Sequence, residues 1–110
     1  MTFENHSLLE SLGRFLRAIG EARARRRLTV EEALIFLAVG YLGISEAKSG
    51  IVTIRPVSCV DIAAILEIPR ETVRRKAIAL AETKVVSMSA RGIIIVELDQ
   101  WREFVEQILQ

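Results

Sequence analysis

The chain has 110 residues, 51% of them apolar, with 15 Lys and Arg against 14 Asp and Glu, for a formal net charge of +1. At roughly 100–200 residues per domain this predicts one domain spanning 1–110. An apolar content this high with so little net charge excludes a disordered tail. The length leaves no room for a large cleft between two domains, which argues against an enzyme built that way.

Cys59 is the only cysteine, so no intrachain disulfide forms. That fits a reducing compartment. The longest uncharged run, Ala33 to Ser45, has 13 residues and is flanked by Glu31, Glu32 and Glu46. A membrane-spanning helix needs about 20, so a buried helix is expected and no membrane contact. Glu4 and Glu10 occupy the N-terminus, and no secretory signal is visible. The expected location is cytoplasmic.

Phe3 to Arg27 reads as one long helix. Leu8, Leu9, Leu12, Phe15, Leu16 and Ile19 recur at spacings of three and four, on one face. Gly13 and Gly20 share a face and are expected to admit a neighbouring helix. The helix closes on Arg23, Arg25, Arg26 and Arg27, and cations suit its C-terminal dipole.

Thr29 with Glu32 forms a capping box. The second helix runs to about Gly43 and is apolar nearly all round, which requires burial on most sides. A chain this short has little interior to surround it, so a dimer is expected. Ser45–Gly50 reads as loop and Ile51–Arg55 as a short β-branched strand closed by Pro56.

Ser58 caps a third helix that ends near Glu67. Pro69 opens a fourth, running to about Thr83. Val85–Ser89 and Ile93–Glu97 read as strands joined by a turn at Ser89–Gly92. A last helix, capped by Asp99, carries Trp101, Phe104, Val105, Ile108 and Leu109 on one side. The fold class is mainly α with a small β-wing. Residues 1–44 supply N-terminal helices for dimerisation, 51–97 the central motif and 98–110 the C-terminal helix.

The informative stretch is Ser58 to Glu97: short helix, tight turn, basic helix, two-stranded hairpin. Ile62 and Ala63 open one helix, and Arg70-Glu71-Thr72-Val73-Arg74-Arg75 opens the next. This resembles the winged helix-turn-helix of bacterial transcription regulators, in a pattern familiar from the DNA-binding part of the cyclic-AMP receptor protein and fumarate-nitrate regulator family. Thr72-Val73-Arg74-Arg75 is also similar to the gluconate-repressor-like family. The likeness covers about 40 residues and includes neither family's ligand domain. Two positions depart from the pattern. Glu67 stands where Gly is usual, and a positive φ there would strain it. Lys76 stands where many members are apolar, and its stem can cover the core while its ammonium reaches outward.

Ile62, Leu66, Ile68, Val73 and Leu80 are expected to form a small core between these helices. Arg70, Glu71, Arg74 and Arg75 then project from the turns that such a motif inserts in the major groove. Arginine bonds guanine O6 and N7, and glutamate accepts from cytosine N4. The resemblance makes Arg70, Glu71 and Arg75 base readers and puts Arg91 on the wing. Thr72 and the helix start at Ser58 are phosphate candidates, with Arg74 and Lys76 as further DNA contacts.

The near-zero net charge hides local zones. Arg70–Lys84 holds five basic and two acidic residues, and Arg14–Arg27 six and one. Glu97–Glu106 is acidic. Phosphate binding needs only a local excess. The Arg23–Arg27 cluster reads equally as a solubilising helix end or a second phosphate contact. Cys59, just after a cap, is an ordinary thiol or a redox sensor. His6 has no partner at metal spacing, and no catalytic constellation or phosphate loop occurs. No enzyme activity, cofactor or metal is expected.

The expected protein is a sequence-specific, double-stranded-DNA-binding transcription regulator. Its apolar surplus implies a two-fold homodimer reading a near-palindromic site. The expected dimer interface is Leu9, Leu12, Leu16, Ile19, Phe36, Trp101, Phe104 and Ile108. The alternative is a winged-helix adaptor that docks proteins and not DNA. No effector pocket is identifiable in the sequence, and a small-molecule effector stays unknown, though the N-terminal helices and the winged part could enclose a cavity between them.

Overall fold

The computed structural model describes residues 6–109. Among them, helices α1 (His6–Arg25) and α2 (Val30–Gly43) precede a hairpin of β1 (Ile44–Glu46) and β2 (Val52–Ile54). Helices α3 (Cys59–Leu66) and α4 (Arg70–Glu82) follow, then a second hairpin, β3 (Val86–Ser89) with β4 (Gly92–Ile95), and finally α5 (Leu98–Leu109). The chain is mainly helical, with two small antiparallel two-stranded sheets. The expected helix start at Phe3 and the side chain of His6 lie outside the described residues. No helix among the described residues is long and apolar enough to cross a membrane.

Helix α2 is the centre of the molecule because it has no polar face. Ala33, Ile35, Phe36 and Val39 are almost wholly inaccessible, and α1, α3, α4, α5 and β4 all pack on it. Its start is fixed as the sequence predicts. The Glu32 N–H donates to Thr29 Oγ1 at 3.1 Å, and the Thr29 N–H donates to Glu32 Oε1 at 2.7 Å. Two otherwise orphaned donors are satisfied together.

Helices α1 and α5 lie side by side through the small residues Ala18 and Ala22, both buried. Polar contacts along the seam set their register. Arg14 Nε donates to the Ile108 carbonyl at 3.2 Å, and Gln107 Nε2 donates to Glu21 Oε2 at 2.7 Å. Arg14 therefore stands opposite the last turn of α5.

Four expectations are corrected. Ile44–Glu46 is a strand and not a helix end and loop; Ile44, Ser45 and Glu46 pair with Ile54, Thr53 and Val52. Asp99 is not the cap of α5, which starts one residue earlier, so the carboxylate sits in its first turn. Among the described residues no helix is brought close by Gly13 or Gly20: a Cβ on Gly20 would meet open space, and the nearest atoms to one on Gly13 belong to the Arg17 side chain. Phe36 and Phe104, expected at a dimer interface, are each 1% exposed. Their rings pack on each other at 6.3 Å, tilted by 52°. Burying those two rings inside one chain is what closes the core between α2 and α5.

Candidate nucleic-acid interface

Helices α3 and α4 are joined by Glu67, Ile68 and Pro69 alone. Ser58 caps α3, its hydroxyl accepting from the Asp61 N–H at 3.1 Å. The cap satisfies one of the orphan donors at the helix start. Glu67 ends α3 in the left-handed region, at φ 54° and ψ 45°. The turn thus needs the conformation for which glycine is suited, and an L-residue there costs about 1–2 kcal/mol. Pro69, at φ −60° and ψ 139°, starts α4 without a side-chain cap. Ile62, Val73 and Leu80 are fully buried between these helices, with Leu66 and Ile68 packed against them.

The second hairpin is bound to this unit by backbone. Val57, one residue before the α3 cap, bridges Ile93 of β4 through two reciprocal N–H···O bonds of 2.8 Å. Gly92 permits that approach. It has φ +131°, and a Cβ there would overlap the Val57 carbonyl. β3 packs on α4 and β4 on α2.

Arg70, Glu71, Arg74 and Arg75 are all exposed on the first two turns of α4. They are not equivalent. Arg74 clamps Glu71 with both its Nε and a terminal amine, the Nε to Oε2 distance being 3.0 Å. That hydrogen bond holds the Glu71 carboxyl below its ordinary pKa, aided by the charges of Arg74, Arg75 and Arg70. It also raises the Arg74 guanidinium. Arg70 and Arg75 have no ion-pair partner among the described residues. Lys76, expected to contact DNA, is half-buried and turns its ammonium to Glu31 of α2 at 3.9 Å. It leaves the exposed face because it lies one residue round the helix from Arg75. Thr72 is also half-buried, while the Ser58 hydroxyl is engaged as the cap.

Arg91 is exposed at the hairpin tip, where its N–H donates to Ser89 Oγ at 3.2 Å. It lies on a different element from the α4 residues, held relative to them by the packing of β3 on α4. In the basic end of α1, Arg26 is turned inward. It pairs with Glu103 at 3.8 Å and stands 5.8 Å over the Phe104 ring. Arg25 pairs with Glu21 at 2.9 Å. Only Arg23 and Arg27 of that cluster lack an ion-pair partner among the described residues. Cys59 is a free, half-buried thiol at the first position of α3. No group of His, Cys, Asp and Glu among the described residues is arranged to hold a metal ion.

The sequence reading did not locate an apolar groove of about 390 Å³. It is lined by Leu34 and Leu37 of α2, by Ile65 of α3 and by Trp101 and Val105 of α5, with Tyr41 of α2 at its rim. It lies between α2, α3 and α5. Tyr41 is 71% exposed at its edge. The signal for it was the surplus of apolar residues on α2, beyond what neighbouring helices can cover. No protein-family model matches the chain, and neither the curated proteins nor the solved structures give a match.

Proposed function

We propose that the chain is a winged helix-turn-helix regulator of transcription that binds double-stranded DNA sequence-specifically as a homodimer. α4 is its recognition helix and the β3–β4 hairpin its wing. One observation carries this reading: Arg70 and Arg75 stand exposed and unpaired at the start of a helix reached by a three-residue turn, with a backbone-anchored hairpin beside it. Such a helix start fits the major groove, and a free guanidinium reads guanine there. Arg91 suits phosphate or minor groove. Glu71, held by Arg74, is a weaker base reader than its position suggests. The acidic α5 faces away from the DNA, and the working compartment is the cytoplasm.

Selection of bound sites from a random duplex library tests the reading. The expected result is a near-palindromic site with half-sites about one helical turn apart. Affinity for it should fall steeply with salt. The log–log slope should be close to the number of phosphates contacted, about −0.9 for each. No enrichment, or a flat salt profile, would overturn it.

The apolar groove favours a second reading, in which the same fold docks a protein and not DNA. A flat salt dependence selects that alternative. Control through Cys59 oxidation is excluded if alkylating the thiol leaves DNA affinity unchanged.

A further inference from the structure

The exposed start of α4 sets one carboxylate among three guanidiniums, and the carboxylate is not at the edge of the group. At 3.6 residues per turn, Arg70, Arg74, Glu71 and Arg75 follow one another around an arc of about 140°. Val73, Ala77 and Leu80 are buried on the other side of the helix. Glu71 and Arg74 are therefore the middle of the face, with Arg70 and Arg75 flanking them. A helix that enters a groove by this end brings the middle pair to the base edges.

The pair divides the donors of Arg74. Its Nε and Nη2 donate to both oxygens of Glu71, Nε to Oε2 at 3.0 Å. A guanidinium carries its N–H bonds in a rigid planar fork. Glu71 takes one edge of that fork. The other edge, formed by Nη1 and Nη2, keeps N–H bonds that meet no acceptor among the described residues. On the open surface such a pair contributes little to stability, but its bonds strengthen where a groove excludes water. An arginine loses rotamer freedom when it docks, and one already held by a carboxylate has less to lose.

Glu71 by itself is badly placed in a groove lined by phosphates. Its useful partner there is cytosine N4, and to meet that donor it must loosen its hold on Arg74. Guanine O6 and N7 are both acceptors, and they match the free edge of Arg74 with the pair intact. The geometry points to Arg74 as a further guanine-reading arginine and to Glu71 as its positioning residue, not a reader of cytosine. This rests on the regulator reading above and assigns roles within its site. It departs from the role that the resemblance implies for Glu71.

The test starts from the duplex that the parent chain selects, with melting curves to confirm that each variant folds. Arg74→Ala should relax one base pair of the selected site by about tenfold. Glu71→Ala should relax the same pair, by less, although it removes a negative charge from the DNA face. The double variant should lose no more than Arg74→Ala alone, since the carboxylate acts through the arginine. Arg74→Lys should lose the preference at that pair but keep the salt dependence, because an ammonium retains the charge without the fork. At the guanine of that pair, 7-deazaguanine, which lacks N7, should weaken the parent several-fold and leave Arg74→Ala unchanged. The inference is overturned if Arg74→Ala relaxes no pair, or if the deaza base has no effect on the parent. It is also overturned if Glu71→Ala relaxes a pair that Arg74→Ala leaves intact, which would make Glu71 a reader in its own right. In each of these cases the parent still selects a site and the regulator reading stands. A parent chain that selects no duplex removes both.

Discussion

Trp101 lies flat on the place where Gly40 has no side chain. A Cβ on Gly40 would overlap the indole, and the indole Nε1 donates to the Phe36 carbonyl at 3.1 Å. The glycine in mid-helix, ordinarily unfavourable, is what lets α5 approach α2 closely enough to bury Phe104. Gly40→Ala should therefore destabilise the fold by about 1–3 kcal/mol through overpacking, despite the better helix propensity of alanine. Urea unfolding followed by tryptophan emission measures it. Gly20→Ala, in open space on α1, should do the opposite, by up to about 1 kcal/mol.

Glu67 supplies a second stability test. Relief of a left-handed L-residue is worth about 1–2 kcal/mol, and the entropy of glycine takes back about 0.5–1 kcal/mol. Glu67→Gly should raise stability by roughly 0.5–1 kcal/mol, and Glu67→Val should lower it. Thermal melts of the two variants against the parent give the comparison. Equal loss in both would mean that the turn does not hold this conformation in solution.

The Glu71–Arg74 pair predicts a pH response. Its hydrogen bond favours ionised Glu71, so the carboxyl titrates below the ordinary glutamate range. The contribution of the pair is complete above that range and is lost as pH falls through the lowered midpoint. Nothing from this pair changes near neutrality. Carboxyl-carbon NMR titration should show the low midpoint, and Arg74→Ala should return it toward the ordinary value. Both groups are exposed, so the effect on global stability is small.

The cations of the proposed DNA face should divide into three kinds. Arg75→Ala should cost about 1–3 kcal/mol of duplex affinity and relax preference at one base pair. Arg91→Ala should weaken all duplexes alike and lower the salt slope of the dimer by about 2, one phosphate contact for each protomer. Lys76→Gln should change duplex binding least, since its ammonium is turned to Glu31. Fluorescence anisotropy on matched and scrambled duplexes separates them. A Lys76 effect as large as that of Arg75 would contradict the ordering.

What was legible in the sequence is what depends on neighbours in the chain. Thr29 with Glu32, Ser58 with Asp61, and Pro69 declared helix starts because their chemistry is local. The hairpin at 86–95 and the left-handed need at Glu67 were also readable. β1 was not, because Ile44, Ser45 and Glu46 follow directly on an apolar helix and become a strand only by pairing with 52–54. Glycine alone does not say which neighbour approaches. Gly13 and Gly20 looked like packing sites and are open, while Gly40 and Gly43 are closely approached by Trp101 and the Arg55 carbonyl. Lys76 looked free because Glu31 lies far away in sequence. Phe36 and Phe104 looked surplus because each finds its partner only after α5 has folded back on α2.

The two backbone bonds between Val57 and Ile93 have a mechanical consequence. They join the tip-bearing hairpin to the residue just ahead of Ser58, so the strand pair and the start of α3 open only together. Their amides should exchange with deuterium as one cooperative unit, more slowly than those of the β1–β2 hairpin. Arg91 and Arg75 are thus presented at a preset separation, and little ordering is left to be done at the moment of encounter.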